Sequence, residues 1–260
     1  MTNFEKLAQP EVIDASFGSS SSTRVVEGTR SALAMKAFFA LIRWDIVTEL
    51  RRPVSTLNMT IFSLLLLFIG SYAVSTKTEI HEVFGPVYFW TVVLFAGTIG
   101  LSRAFAVDRE NAALSGILVA PVEAGVCYLA KVVSTWAYVM VMELLLFGAY
   151  AVFFDFDHWK GVGALLAVMA SFTLAYVALG VVLSAISSNL RAGEVVLRIL
   201  IVPLMIPALV VVLVSQEGTF WHRPDGSANL APSLCAAALL AMAAIYLTIG
   251  YLLFPKVVEE

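Results

Sequence analysis

Charged residues are scarce in this sequence. They make up 13% of the 260 residues, whereas a soluble domain carries about a quarter. Hydrophobic residues supply 60%, and the mean hydropathy is +0.90. This composition excludes an ordinary soluble domain and places the chain in the integral membrane class. The net charge of −3 indicates no particular partner, and nucleic acid is not expected among the partners.

The motifs of common catalytic sites are also missing. There is no GxxxxGK[ST] phosphate loop, so no ATP site of that kind is expected, and there is no HExxH zinc motif. Ser115-Gly116 lacks the GxSxG context of a nucleophile elbow. An intramembrane protease would need a histidine within a hydrophobic run, and no run contains one. We therefore expect a non-catalytic membrane protein.

The few cysteines and histidines suggest no metal site. Cys127 and Cys235 stand at the ends of hydrophobic runs without CxxC spacing, which favours neither zinc nor a redox pair. His81, His158 and His222 fall in three separate loops. Imidazole often binds metals, but no two of these histidines have ligand spacing. We expect no resident metal and no cofactor bound by the chain itself.

Six apolar runs are long enough to span a bilayer. The first contains 22 residues, which is roughly 33 Å of helix, against a hydrocarbon core of about 30 Å. The runs do not alternate apolar and polar residues, so membrane helices are expected rather than a β-barrel. The predicted all-α transmembrane domain covers 53–260, with spans at about 54–75, 84–107, 127–153, 161–187, 195–215 and 232–254.

Lysine and arginine are distributed unequally between the two sides. Of the 16 such residues, 13 fall on the side that carries both termini, and Lys77, Lys160 and Arg223 fall on the other. The positive-inside rule therefore predicts that both termini and the segment 101–126 are cytoplasmic.

The region before the first span divides into two parts. Residues 1–33 are polar, show no cleavable signal peptide and are expected to form a flexible cytoplasmic tail. Residues 34–52 place apolar and aromatic residues at helical spacing, which predicts an amphipathic helix on the membrane surface. Pro53 then begins the first span. This helix is either an anchor or a lever that responds to a cytoplasmic partner, and the sequence alone favours the anchor.

A second, shorter amphipathic pattern covers 109–121. It opens with charge, carries a small apolar stripe and ends at a proline. We interpret it as a coupling helix that docks on a partner, although a connector on lipid headgroups is slightly favoured by the pattern alone. The residues that define it are Arg109, Glu110, Leu114, Ile117, Leu118 and Pro121. Further charges at the cytoplasmic ends of the spans are candidates for the same interface: Arg51, Arg52, Arg103, Asp108, Arg191 and Glu194.

Glu143 is an acid near the middle of the third span. An ionisable group in hydrocarbon is costly and is a candidate functional residue. The alternative is a protonated glutamic acid that is hydrogen-bonded to a Ser, Thr or Tyr of a neighbouring helix. A secondary carrier would need several buried charges or broken helices, whereas the spans offer Glu143, Pro203 and Pro207. This favours a permease that a partner ATPase drives.

Four stretches resemble the CcmB family, the B subunit of the cytochrome c maturation haem exporter. Glu143 also matches a glutamate in the family's third span. The four stretches are DIVTELRRPVS (45–55), LSRAFAVDRENAALSGILVAPVEAGVCYLAK (101–131), RAGEVVLRILIVPLMIP (191–207) and LLFPKVVEE (252–260).

The resemblance implies a six-span permease of the ABC-2 type, like the type V exporters, in the bacterial inner membrane. It implies a dimer of this chain with two copies of an ATPase subunit, CcmA, which would bind ATP and Mg²⁺. Haem would be the cargo, delivered to a periplasmic haem chaperone, and CcmC-like and CcmD-like subunits would join the complex. The alternatives are an ABC-2 permease for another hydrophobic substrate, such as a lipid, glycan or drug, and a self-sufficient carrier or channel.

Overall fold

The computed structural model describes residues 19–51, 53–74, 78–103, 123–154, 161–188, 193–217 and 231–258. Within these ranges the chain forms α-helices and no β-strand. In chain order the helices are α1 (Ser19–Arg51), α2 (Val54–Val74), α3 (Thr78–Arg103), α4 (Ala124–Phe153), α5 (Val162–Ser188), α6 (Gly193–Glu217) and α7 (Pro232–Val258).

The helices α2 to α7 are each long and apolar enough to cross a membrane. This confirms the predicted all-α membrane fold and its six spans. The helix α3 begins at Thr78, before the predicted start of the second span at residue 84. The second span was expected to continue to residue 107, and its last four positions lie outside the described ranges.

The helix α1 is longer than the predicted amphipathic segment. It starts at Ser19 rather than near residue 34, and it ends at Arg51, just before Pro53. The described side chains of Phe39 and Trp44 are exposed, whereas Asp45 is partly buried against the bundle. The flexible tail and the domain division stay predictions, and residues 1–18 lie outside the described part of the chain.

A carboxylate joins α1 to the start of α2. The backbone N–H and the hydroxyl of Thr56 both donate to Glu49 Oε1, each at 2.9 Å. The first N–H groups of a helix have no partner within the helix, so this carboxylate acts as a cap contributed by the preceding helix. Pro53 opens the helix, and its carbonyl accepts from Leu57 N at 2.9 Å.

The helix α5 occupies the centre of the bundle. Of its span, 72% is buried, whereas the spans of α2 and α7 are each 22% buried. Its sequence is rich in Ala, Gly and Ser, and small residues let membrane helices approach closely. It packs most extensively against α7, which is also rich in alanine. The helices α3, α4, α6 and α7 pack around α5, and α2 packs on α3 and α4.

Hydroxyl groups link the spans through backbone carbonyls. Hydrocarbon holds no water that could bond a side-chain hydroxyl. The hydroxyl therefore bonds a carbonyl of a neighbouring helix, and this bond holds the two helices together. The bonds that cross between helices include Tyr88 to Leu66 O (2.7 Å), Tyr128 to Ala178 O (2.8 Å), Tyr176 to Leu94 O (3.0 Å) and Ser184 to Leu101 O (2.7 Å).

A glycine makes one of these bonds possible. A Cβ atom at Gly97 of α3 would lie 2.6 Å from Cε1 of Tyr176, which is closer than non-bonded carbon atoms approach. The tyrosine ring therefore lies in the space that a side chain at residue 97 would need, and from there its hydroxyl reaches Leu94 O.

Candidate transport and coupling sites

Glu143 is fully buried inside the bundle. On α4 its neighbours Val139, Met142 and Leu146 are buried too, whereas Leu144 is exposed. This helical pattern directs Glu143 toward α5 and away from lipid. There the hydroxyl of Thr173 donates to Glu143 Oε2. Thr173 is the kind of neighbouring-helix hydroxyl that the alternative interpretation of Glu143 requires, and a functional role for Glu143 stays a prediction.

Two buried polar atoms of the described spans lack partners. Among the described residues, Glu143 Oε1 and Trp90 Nε1 accept or donate no hydrogen bond. The Trp90 ring lies 5.0 Å from the ring of Phe172, the residue before Thr173. The bond from Thr173 to Glu143 joins α5 to α4, and we call these two residues the mid-span cluster. A buried polar atom without a partner costs about 1–3 kcal/mol, so each of these two atoms lowers the stability of the described bundle.

The charge state of Glu143 follows from the same contacts. The described residues form no ion pair with it, and an unpaired carboxylate in a membrane interior is far more costly than a neutral acid. We therefore treat Glu143 as the protonated acid, which can donate one hydrogen bond as well as accept.

A second polar cluster joins α1 to α4. The ammonium group of Lys131 lies 3.3 Å from each carboxylate oxygen of Asp45. The hydroxyl of Ser134, one turn further along α4, donates to Asp45 Oδ2 at 2.7 Å. The two charged side chains are 14% and 20% exposed. We call these three residues the α1–α4 cluster.

The α1–α4 cluster is not evident from the sequence pattern. Lys131 is one of the predicted cytoplasmic cations, and the pattern places no partner beside it. A usable signal was present, because Lys131 lies two turns inside an apolar helix, and a charge at that depth needs a partner. The acid that supplies it comes from 86 residues earlier in the chain, and periodicity could not reveal that contact.

The end of α7 packs against the start of α4. The ring of Phe254 lies 5.7 Å from that of Tyr128, and the hydroxyl of Tyr251 donates to Glu123 Oε2 at 3.5 Å. The first turns of α4 therefore contact α1, α5 and α7 together. They also follow directly after the predicted coupling segment.

The predicted coupling helix lies outside the described residues. The structure shows its two connections: α3 ends at Arg103, and α4 begins at Ala124. Arg51 is exposed at the end of α1, and Glu194 stands in the first turn of α6. The interface and coupling residues that fall outside the described ranges are Arg52, Asp108, Arg109, Glu110, Leu114, Ile117, Leu118, Pro121 and Arg191.

Metal-binding groups do not cluster in the part of the chain that is described, where no three His, Cys, Asp or Glu side chains come together. Cys127 and Cys235 are free thiols. His158 and His222 lie outside the described residues, so the expectation of no resident metal stays a prediction.

Comparison with known proteins identifies the family. The family model described as CcmB protein matches residues 36–256, from α1 to the end of α7. The chain belongs to the CcmB family. The matched region of this CcmB protein contains the mid-span cluster, the α1–α4 cluster and the segment predicted to be a coupling helix.

Curated relatives carry the name Heme exporter protein B. The protein of Pseudomonas aeruginosa is 25% identical over 193 residues, which covers 74% of this chain and 84% of that protein. The Escherichia coli K12 protein is 25% identical over 214 residues, with 78% and 97% covered. That of Haemophilus influenzae is 24% identical over 216 residues, with 78% and 96% covered. The resemblance seen in the sequence is thus confirmed.

Proposed function

We propose that this CcmB protein is the membrane permease subunit of an ABC transporter that exports haem for the assembly of c-type cytochromes. The observation that carries the proposal is the family match over 36–256, together with relatives named Heme exporter protein B. The six helices that are long and apolar enough to cross a membrane support a role as a membrane subunit.

The energy source is proposed to be a separate CcmA-like ATPase. The described chain is a bundle of apolar helices, and the sequence has no phosphate loop to bind ATP. In the orientation that the positive-inside count favours, both termini lie in the cytoplasm of a bacterial inner-membrane protein. The segment between α3 and α4 then faces the side where ATP is available.

The complex is proposed to contain two copies of this chain, two ATPase subunits, and CcmC-like and CcmD-like membrane subunits. It would serve a periplasmic haem chaperone. Haem is cargo in this proposal, and ATP with Mg²⁺ belongs to the ATPase. Glu143 is proposed as an intramembrane functional residue, because an acid is retained at full burial with one oxygen unpaired among the described residues.

Complementation tests this proposal. A bacterial strain that lacks its own CcmB gene, and therefore makes no c-type cytochrome, would receive this chain together with the ATPase gene of the same source. We expect covalent haem to return to c-type cytochromes, as measured by haem staining of membrane proteins. The chain should also recover the ATPase in detergent extracts.

The result also separates the alternatives. ATPase recovery without any cytochrome assembly would favour an ABC-2 permease for a lipid, glycan or drug. Transport activity of the purified chain without any ATPase would favour a self-sufficient carrier. A matched control is the same strain with the ATPase gene alone, which should remain without cytochrome.

A further inference from the structure

Helix α1 is joined to the bundle by two carboxylates. Asp45 and Glu49 are four residues apart, so they lie one turn apart on one side of the helix. Asp45 binds Lys131 and Ser134 of α4. Glu49 binds the backbone and hydroxyl of Thr56 at the start of α2. One helix outside the spanning bundle is therefore attached to two different spans.

The attachment to α4 depends on charge. Lys131 and Asp45 are mostly shielded from solvent, at 14% and 20% exposure. Removing one member of such a pair leaves the other charge in a poorly hydrated place, which is costly even where the pair itself adds little stability. Separating α1 from α4 would break this pair, so the pair ties the position of α1 to that of α4.

The opposite side of α1 does not hold it to the bundle. Phe39 and Trp44 are 62% and 64% exposed there, and Lys36 and Arg43 are also exposed. Aromatic and cationic side chains together suit the membrane surface, where an amphipathic helix lies in the plane of the interface. Such a helix can follow a span to which it is bonded.

The place of Lys131 in the chain gives this coupling a direction. Lys131 and Ser134 lie in the first three turns of α4, which begins just after the segment 104–122. A force applied to that segment reaches the end of α3 and the start of α4, because the chain joins it to both. From there the bonded path leads to Asp45, along one turn of α1 to Glu49, and on to the first turn of α2.

We propose that Asp45 and Lys131 are positioning residues for transport, and that they pass movement of α4 through α1 to α2. The proposal rests on the proposed function, since it needs an ATPase that acts on the segment between α3 and α4. In this proposal α1 acts as a lever that responds to a partner, and not only as a membrane anchor. Glu49 is the second contact of this lever.

The test measures coupling rather than binding. Asp45→Asn, Lys131→Met and the charge exchange Asp45→Lys with Lys131→Asp would be made in the full chain, expressed with the ATPase in the complementation strain. Measurements are the level of the chain in membranes, the ATPase recovered with it, ATP hydrolysis by the purified complex, and c-type cytochrome formed.

We expect each single variant to reach the wild-type level in membranes and to recover as much ATPase as the wild-type chain. Cytochrome formed per ATP hydrolysed should fall by about tenfold, the scale of a contact energy lost between directly bonded residues. The charge exchange should restore at least part of this ratio, because it re-forms the pair in reverse. Arg43→Gln is the matched control, since it removes an exposed charge from the same helix, and it should leave the ratio unchanged.

The proposal is overturned if the single variants keep the wild-type ratio, or if Arg43→Gln lowers it equally. If the single variants do not accumulate, Glu49→Ala decides, because it removes only the contact with α2. A lowered ratio with normal ATPase recovery then supports the lever, and an unchanged ratio overturns it. Loss of cytochrome assembly or ATPase recovery in the wild-type chain would instead overturn the proposed function itself, and the lever with it.

Discussion

At the scale of single residues, Glu143 shows how a membrane interior accommodates an acid. The bundle supplies a hydroxyl from Thr173 to one oxygen and, among the described residues, no partner to the other. A purely structural polar group would more commonly have all its hydrogen bonds made. The incomplete set of contacts is what makes this residue a candidate for a role in transport.

Two substitutions of Glu143 test whether its polar contacts are needed for cytochrome assembly. Glu143→Gln keeps a similar shape and an oxygen that accepts from Thr173, so we expect a stability change below about 1 kcal/mol and continued cytochrome assembly. Glu143→Leu removes every polar contact and should impair assembly at a normal protein level. Haem staining with immunoblotting of the same membranes measures both quantities.

The control for this pair is Met142→Leu, a volume-conserving change at the buried neighbouring position. It should leave assembly unchanged. Full assembly with the Glu143→Leu chain would show that the acid is not needed for transport.

At the scale of helices, close approach decides which surfaces pair. We predict that Gly97→Ala destabilises the bundle by about 1–3 kcal/mol, because the added Cβ would overlap the ring of Tyr176. Gly148→Ala is the matched control, since a Cβ there meets nothing within 4 Å. Alanine favours a helix over glycine, so the control should be neutral or slightly stabilising.

Thermal unfolding of the two purified variants in the same detergent measures this difference. Equal stability of the two variants would show that α3 and α5 are not held at this distance in the membrane.

The predicted coupling helix, residues 109–121, is the second element with a defined test. Leu114→Asp with Leu118→Asp places two charges on its apolar stripe. Loss of an apolar anchor of this kind costs about 1–3 kcal/mol, or up to roughly a hundredfold in affinity. We expect the chain to reach the membrane and to recover little ATPase in a pull-down.

Ala112→Asp with Gly116→Asp is the control, because it adds the same charges at the same spacing on the opposite side of a helix. It should retain the ATPase. Equal recovery with the two double variants would leave 109–121 as a connector on lipid headgroups.

At the scale of the whole molecule, the division of labour between subunits can be measured directly. We predict that the purified chain releases phosphate from ATP only at background rate, because it lacks a phosphate loop. Addition of the partner ATPase should produce turnover that tracks the complex in gel filtration. Turnover that follows this chain alone through successive purification steps would contradict both the prediction and the proposed function.

The sequence by itself determined the class, the number of spans and the family. Hydropathy is a local property, and a span of 18 or more apolar residues leaves the backbone few choices other than a helix. The position of Glu143 is also a local property, because the sequence alone shows an acid within an apolar run. The family resemblance was carried by contiguous stretches, which comparison of sequences also detects.

Only the tertiary structure decided which residues meet. The contact of Asp45 with Lys131, and that of Glu143 with Thr173, join positions 86 and 30 residues apart. The choice depends on how helices rotate and cross, which small residues such as Gly97 set through close packing. Helical periodicity gives the faces of each helix, but all faces of an apolar span look alike, so the pairing of faces is settled by packing alone.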